Sequence, residues 1–427
     1  METTKFNNRV FGAVILKSIN SNFNADFTHH PRTLPDGTVY STDKALKYAI
    51  KDFLKKNYSD GNNFFYVKRY NEKLNPLSLD DTYKHLFKKF PKAPVEKFAL
   101  FYFDGESVNG VLPKPKKKQI TDYFKSLSED SDFVKYKKDF ENLASKDVVN
   151  LKLHDLEEVK DEKTYYFYLK KDKNIIKLEG EEEELQKICK ELDSILTGGI
   201  DKFSVLRDLL KCIDIRLFGA TFAGETNISI HGPVQINHGV NKFPENDIYT
   251  EDILSPFRNP GKEGSDEKGM TTIGNQTNLK EGHYVFHFSI NPKNTDEFYE
   301  MINKDKEENE KSFLSNDDIK KLKEALNNSV TALDSSRKIG TENEATVWIQ
   351  LNKDSKKVLP SLTELITVEK TNDQVQINLD KVSKIIEQVN EDIEIVEVFF
   401  NPVTTIVSGL EKSDKIKFKN IINENEI

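Results

Sequence analysis

The chain has 427 residues, 37% hydrophobic, 31% charged and 10% aromatic, a balance too apolar for a disordered chain and too polar for a membrane-embedded one. No run approaches the roughly 18 uninterrupted apolar residues of a spanning helix, and no small-residue cleavage site follows the basic residues of Met1–Leu16, so a cytoplasmic protein without a membrane partner is expected. The net charge of −8 argues against a protein that coats nucleic acid with its whole surface, and two cysteines, Cys189 and Cys212, supply neither a disulfide framework nor a zinc site.

The charge is unevenly distributed. Residues 41–120 hold 17 Lys and Arg against 9 Asp and Glu, a net of +8 that leaves −16 for the rest. One basic face on an acidic protein fits a polyanion partner, and clustering in a lysine-rich sequence gives the same count. Arg9–Lys17 (RVFGAVILK) reads as a buried strand, followed by a polar loop, Ser18–Gly37. Ser41, Thr42 and Asp43 offer an N-cap for a helix to about Lys56. In it Leu46, Ala49, Ile50 and Phe53 share one face, while Lys44, Lys47, Lys51 and Lys55 form a stripe opposite. That stripe is either a phosphate grip or a solvated surface. Strand-like runs at Phe64–Tyr70 and Lys97–Phe103 complete a strand, helix, strand, strand order, as in half of a ferredoxin-like or RNA-recognition-motif-like fold.

From about Ala93 to Leu196 the composition shifts to charged, helix-prone stretches around an aromatic strand, Tyr165–Leu169, and reads as an insertion with its own small fold. Cys212–Phe222 and Ile228–Ile236 then read as strands joined by a turn near Gly224, and Asn237–Asn278 as a long polar loop of the kind that is usually functional. His283–Ile290 is a strand, Ser315–Leu333 a helix capped by Ser315 with Asp318, and strands near Ala345–Leu351, Gln374–Leu379 and Ile393–Phe400 finish an α+β chain.

Catalytic motifs fail. Gly219–Thr226 (GATFAGET) misses the phosphate-loop lysine, with Glu225 in its place, and strand-turn-strand context offers no helix N-terminus to an anion. His29 and His30 are adjacent in a loop, and His283 and His287 alternate with apolar residues as half-buried strand histidines do. Asp26 in the first loop is the carboxylate to watch, turn formation being its simplest role. Neither catalytic residues, metal nor cofactor are expected.

Taken together, N-x-N-x-D (Asn22, Asn24, Asp26), P-R-T (Pro31–Thr33), D-G-x-x-Y-S-T-D (Asp36–Asp43), D-I-R-L-F-G-A-T-F-A (Asp214–Ala223), G-P-V-Q (Gly232–Gln235), M-T-T-I-G-N-Q (Met270–Gln276) and G-H-Y-V-F-H-F-S-I-N (Gly282–Asn291) resemble a known family. It is the backbone subunit of the type I CRISPR Cascade complex, in its subtype I-B Csh form, within the RAMP superfamily. The resemblance implies an α+β protein with an RNA-recognition-motif-like palm (1–92 and 200–427), an inserted finger or helical domain (93–199) and a β-hairpin thumb (241–275). It implies copies stacked head to tail on CRISPR RNA, other Cascade subunits alongside, and a complementary target DNA strand paired to the guide. Such a scaffold must grip phosphates and leave base edges free, and the base-stacking RNP signature is missing from the sequence. The RNA-binding residues so implied are Asn22, Asn24, Arg32, Ser41, Thr42, Lys44, Lys47, Lys51, Met270 and Thr271. Arg32 suits a bidentate phosphate contact or a plain surface site, and Met270 a wedge near the guide or a small local core. The rival reading is a metal-dependent endoribonuclease of the same superfamily that cuts guide-paired RNA through Asp26. A more distant one is a processing endonuclease using His29 or His30.

Overall fold

The computed structural model describes residues 4–60, 62–91, 100–103, 108–112, 165–169, 174–178, 200–243, 247–254, 273–304, 306–307, 311–371 and 374–427. They fall into two compact units, 1–86 with 206–427, and 87–205. In chain order the larger unit opens with β1 (Val10–Ser21), β2 (Tyr40–Ser41), α1 (Asp43–Tyr58) and α2 (Leu79–Phe87). In the second unit β3 (Leu100–Phe103) pairs with β4 (Val108–Leu112) and β5 (Tyr165–Leu169) with β6 (Asn174–Leu178), both antiparallel. The segments 113–118 and 181–184 of the charged insertion lie outside the described residues.

After α3 (Lys202–Leu209) come α4 (Ile213–Phe218), the hairpin β7 (Gly219–Ala223) and β8 (Asn227–His231), then β9 (Val234–Ile236), β10 (Gly239–Asn241), β11 (Ile248–Leu254) and β12 (Ile273–Ile290). The chain continues through α5 (Asp296–Asn303), α6 (Asn316–Asn328), β13 (Thr341–Leu351), β14 (Thr367–Thr371), β15 (Gln374–Asn378), α7 (Asp380–Gln388), β16 (Ile393–Phe400), β17 (Thr405–Ser408) and β18 (Ile416–Asn420).

The main sheet runs β18-β16-β13-β1-β12-β10-β2, with β9 and β11 also pairing with β12. β1 lies at its centre, antiparallel to both β12 and β13, which explains its unbroken apolar run: a strand covered on both faces has no polar side to show. Phe11, Ala13 and Ile15 share a core with Val347 of β13, Leu362 of the turn before β14, and Val382 and Ile386 of α7. On the other face, Thr346, the partner of Val14, bonds the Leu326 carbonyl of α6, and Lys323 of α6 stands over the Trp348 ring at 4.4 Å. α6 begins with the expected capping box, Asp318 N donating to Ser315 Oγ at 3.0 Å and Ser315 N to Asp318 Oδ2 at 3.1 Å. Among the described residues no helix is long and apolar enough to cross a membrane.

Two expected strands take other forms. Phe64–Tyr70 is an irregular loop. Asp214 accepts Phe65 N at 2.9 Å and Tyr66 N at 2.7 Å, and Arg69 Nη2 donates to Phe64 O at 2.6 Å. Side chains thus satisfy backbone groups that a strand ladder would otherwise take up. Ile213–Phe218 is the helix α4, with Cys212 extended before it. Ile213, Asp214, Ile215 and Leu217 are all buried, so the alternation of apolar residues marks total burial rather than a two-sided strand. Gly219 ends α4 at φ 75°, and a Cβ there would lie 2.4 Å from Gly232 N. The glycines of G-A-T-F-A and G-P-V-Q touch each other. The polar stretch 237–278 is likewise not a plain loop, since it carries β10, β11 and the start of β12.

Candidate nucleic-acid interface

The first loop leaves β1 as Asn22, whose side chain is buried and donates to His29 O at 3.2 Å and Thr277 O at 3.1 Å. Phe23 is fully buried edge-on to Phe286 at 6.4 Å. Asn24 Oδ1 accepts Thr42 N at 2.8 Å and Thr42 Oγ1 at 2.9 Å. It thereby holds the residue at the N-terminal boundary of α1, whose side chain makes no capping bond to the helix. Asp26 Oδ1 accepts Thr28 Oγ1 and Thr28 N, both at 2.8 Å, and His30 N at 3.0 Å. The Thr28 hydroxyl leads these bonds in holding the Asp26 carboxyl below its ordinary range. His29 sits at φ 70°, His30 is exposed, and Phe27 at the tip is 97% exposed. Arg32 joins the loop by backbone bonds, its N to Asn24 O and its O from Tyr40 N at 2.9 Å.

Several polar atoms here are buried without a partner: Asn22 Oδ1, Arg32 Nε and Ser41 Oγ. Among the described residues such atoms also occur at Arg9, Tyr299, Asn327, Ser329 and Glu344; those of Asn22, Arg32 and Ser41 are the ones that a polar ligand at the first loop would satisfy. All three belong to residues singled out by the sequence.

The lysine stripe divides in two. Lys44 is 82% exposed and pairs with Asp43 at 3.2 Å, and Lys55 is exposed. Lys47 pairs with the same Asp43 at 3.2 Å and stands over the Phe218 ring at 5.8 Å. Lys51 lies over Tyr66 at 5.1 Å and Phe218 at 5.7 Å. Burial pushes its ammonium pKa down, against the pull of the Asp214 carboxylate. The stripe is therefore not an unbroken solvated line, because Phe218 of α4 and Tyr66 of the loop 64–66 cover its middle, Lys47 and Lys51, and leave Lys44 and Lys55 exposed. His238 of the β9–β10 turn completes the helix end, its Nδ1 accepting Asp43 N at 3.4 Å and its ring 5.6 Å from Tyr40. Sequence reasoning missed His238, Tyr40 and Phe27; only the exposed aromatic in a polar loop left a signal there.

Met270 and Thr271 lie outside the described residues. The limbs leading toward them are described: β11 pairs with the first part of β12 from Ile248↔Leu279 to Leu254↔Ile273, with Thr250 and Thr277 hydroxyls 3.0 Å apart. Of the strand histidines, expected to be half-buried, His287 is half-buried and His283 more deeply buried. His283 is fully buried with Nδ1 2.6 Å from Glu344 Oε2, and burial lowers the pKa of His287, whose Nδ1 accepts Leu362 N at 3.3 Å. Glu225 pairs with Lys84 at 2.8 Å in the β7–β8 turn, a strand-turn-strand as expected. Among the described residues no three His, Cys, Asp or Glu side chains are grouped to hold a metal.

A comparison with curated proteins finds no match. Among solved structures, one titled "CRISPR RNA-guided surveillance complex, pre-nicking" is similar at 10% identity and TM-score 0.41, covering 94% of this chain and 96% of its own. Another, titled "CRISPR RNA-guided surveillance complex", is similar at 11% identity and TM-score 0.30, covering 49% and 78%. Residues 8–394 match the family model described as CRISPR-associated protein Cas7, and a match over most of the chain shows that it belongs to the Cas7 family.

Proposed function

We propose that this chain is a non-catalytic, cytoplasmic CRISPR RNA-binding backbone subunit of a subtype I-B Cascade complex. Copies stack head to tail along the guide beside other Cascade subunits, gripping phosphates and leaving bases free to pair with a target DNA strand. One observation carries this reading: the unpartnered Asn22 Oδ1, Arg32 Nε and Ser41 Oγ lie on the loop and strand that lead into the exposed Lys44. Arg32 Nε and the Ser41 hydroxyl are donors that, beside the Lys44 cation, suit a phosphate backbone, whereas Asn22 Oδ1 is an acceptor that suits a ribose 2′-hydroxyl of the same strand; neither contact needs base-edge readout.

An RNA-recognition-motif-like palm fits the order β1, α1, β10, β12, α6, β13 along the chain with β13-β1-β12-β10 across the sheet, the β-α-β-β-α-β arrangement. The thumb reading is supported by the hairpin limbs β11 and β12, whose Ile253 and Leu254 are exposed. The non-catalytic reading is favoured over an Asp26 nuclease because Asp26 Oδ1 is committed to Thr28 and His30 as a turn former. The test is to purify the protein from its expressing cells, extract and sequence any bound RNA, and add complementary RNA with Mg²⁺. Uncut, repeat-spacer RNA is expected. Protein that carries no RNA overturns the scaffold reading, and regular cleavage that disappears in Asp26→Ala overturns the non-catalytic part.

A further inference from the structure

Lys338 belongs to the turn between α6 and β13, far in sequence from the first loop, and no motif marks it. The fold nevertheless brings it there. Asn22 N donates to Arg337 O at 2.9 Å and Ile19 N to Gly340 O at 2.8 Å, which fastens the turn to the end of β1 where the first loop begins. The Lys338 ammonium stands over two rings, Phe23 at 5.4 Å and Tyr48 at 5.5 Å. Phe23 is buried within the loop. Tyr48 is half-exposed on α1, one helical turn after Lys44.

What sets Lys338 apart is its company. Lys17 meets Glu342 at 2.6 Å, Lys47 meets Asp43 at 3.2 Å and Lys419 meets Glu397 at 2.6 Å, while Lys51, which also lies over two rings, feels the opposing pull of the Asp214 carboxylate. Among the described residues Lys338 has no hydrogen-bond acceptor or carboxylate at salt-bridge distance, only ring faces. Burial alone lowers its ammonium pKa, with no opposing acid. Asp334 and Glu342 line the same cavity of about 400 Å³ as Lys338, but Glu342 is committed to Lys17 and Asp334 acts on Lys56. A partly desolvated cation without a counter-ion is costly, and it is stabilised when an anion arrives.

We propose that Lys338, clamped between Phe23 and Tyr48, is a phosphate-binding residue for single-stranded RNA that extends the Asn22–Arg32–Lys44 site onto a second segment of the chain. The proposal rests on the RNA-binding reading and adds to it a residue and a second wall. The rings hold the ammonium at a fixed place by cation–π attraction, so it meets the phosphate with little loss of side-chain freedom. Tyr48 then presents its open edge beside the bound strand.

The test uses the full chain and a single-stranded guide RNA that binds wild-type protein. Affinity is measured as a function of salt for wild type, Lys338→Gln, Lys338→Arg and Lys353→Gln, the last being an exposed lysine in the turn after β13. In parallel, acetylation of lysine amines is mapped by mass spectrometry with and without RNA. Lys338→Gln is expected to bind roughly 3- to 10-fold more weakly, with a salt slope lower by about 0.7 for the lost contact. Lys338→Arg should retain most of the affinity, and RNA should protect the Lys338 amine from acetylation. Lys353→Gln should behave as wild type. Unaltered affinity and slope in Lys338→Gln, or an amine equally reactive with RNA bound, overturns the inference while the Lys44 contacts still stand. Wild-type protein that binds no RNA overturns the underlying reading instead. The acetylation map needs only wild-type protein, so the result does not depend on the folding of any variant.

Discussion

Replacing Asp214 by alanine tests how the interface is built. The carboxylate is fully buried at the start of α4, accepts the N–H groups of Phe65 and Tyr66, and acts electrostatically on Lys51. Without it one buried and one half-buried N–H group lose their acceptor, at about 1–3 kcal/mol each, so the loss is about 2–6 kcal/mol. That is a large part of the roughly 5–15 kcal/mol that holds a domain together. Asparagine keeps one acceptor and turns an amide donor toward the other N–H, so it should lose about half as much. Trp348, the single tryptophan of the chain and fully buried in β13, reports unfolding of the larger unit by fluorescence in urea. With a denaturant dependence of about 3 kcal/mol per molar, the upper end for a unit of this size, the alanine variant should unfold about 0.7–2 M earlier. Guide affinity should fall with it, because the 64–66 loop that roofs Lys51 comes loose. An alanine variant with the wild-type urea midpoint would refute the claim that this carboxylate organises the loop.

Lys44→Ala should leave the urea midpoint unchanged and lower the salt slope of guide binding by about 0.7, whereas Lys51→Ala should shift the midpoint, since it uncovers Asp214 and two ring faces; equal midpoints would show that the helix lysines are all alike. Glu397 offers a pH test. Burial raises its pKa, but the ammonium groups of Lys323 and Lys419 outweigh that and hold the carboxyl below its ordinary 4.5. A depressed carboxyl contributes stability above the unfolded value that is lost as pH falls through the folded one. Wild type should therefore weaken below about pH 4.5, and Glu397→Gln should be less stable at pH 7 with a flatter acid limb; parallel stability curves would contradict the pairing.

The elements readable in the sequence were those whose pattern records one dominant neighbour. The run Val10–Leu16 records a sheet on both sides, the 3.6-residue spacing of α1 records one packed face, and Ser315 with Asp318 records a helix start. Where several neighbours from distant segments compete, the pattern misleads. Phe64–Tyr70 looks like a strand because its aromatics pack inward on Phe222, yet a carboxylate some 150 positions away in sequence takes its N–H groups. A helical wheel likewise tells which side of α1 is polar but not that Phe218 and Tyr66 lie across Lys51. The polar residues of the first loop were legible as a motif. That they are left unsatisfied was not, because satisfaction is a property of all surrounding segments at once. Lys338 carried no local signal at all.

β12 is 18 residues long and serves two structures in succession, the limb paired with β11 as far as Leu279 and then the central sheet beside β1 as far as Ile290. Leu279 itself pairs on both sides, with Ile248 and with Ser21. Because no joint separates the two parts, the limb behaves as a cantilever whose root is clamped in the core. Side chains alternate faces along a strand with strict parity, so one residue inserted near Lys280 would turn every outward group of the limb inward while the core pairing stayed intact. The direction in which the limb points is therefore written into a count of residues, and a lineage can lengthen it without disturbing that direction only in steps of two.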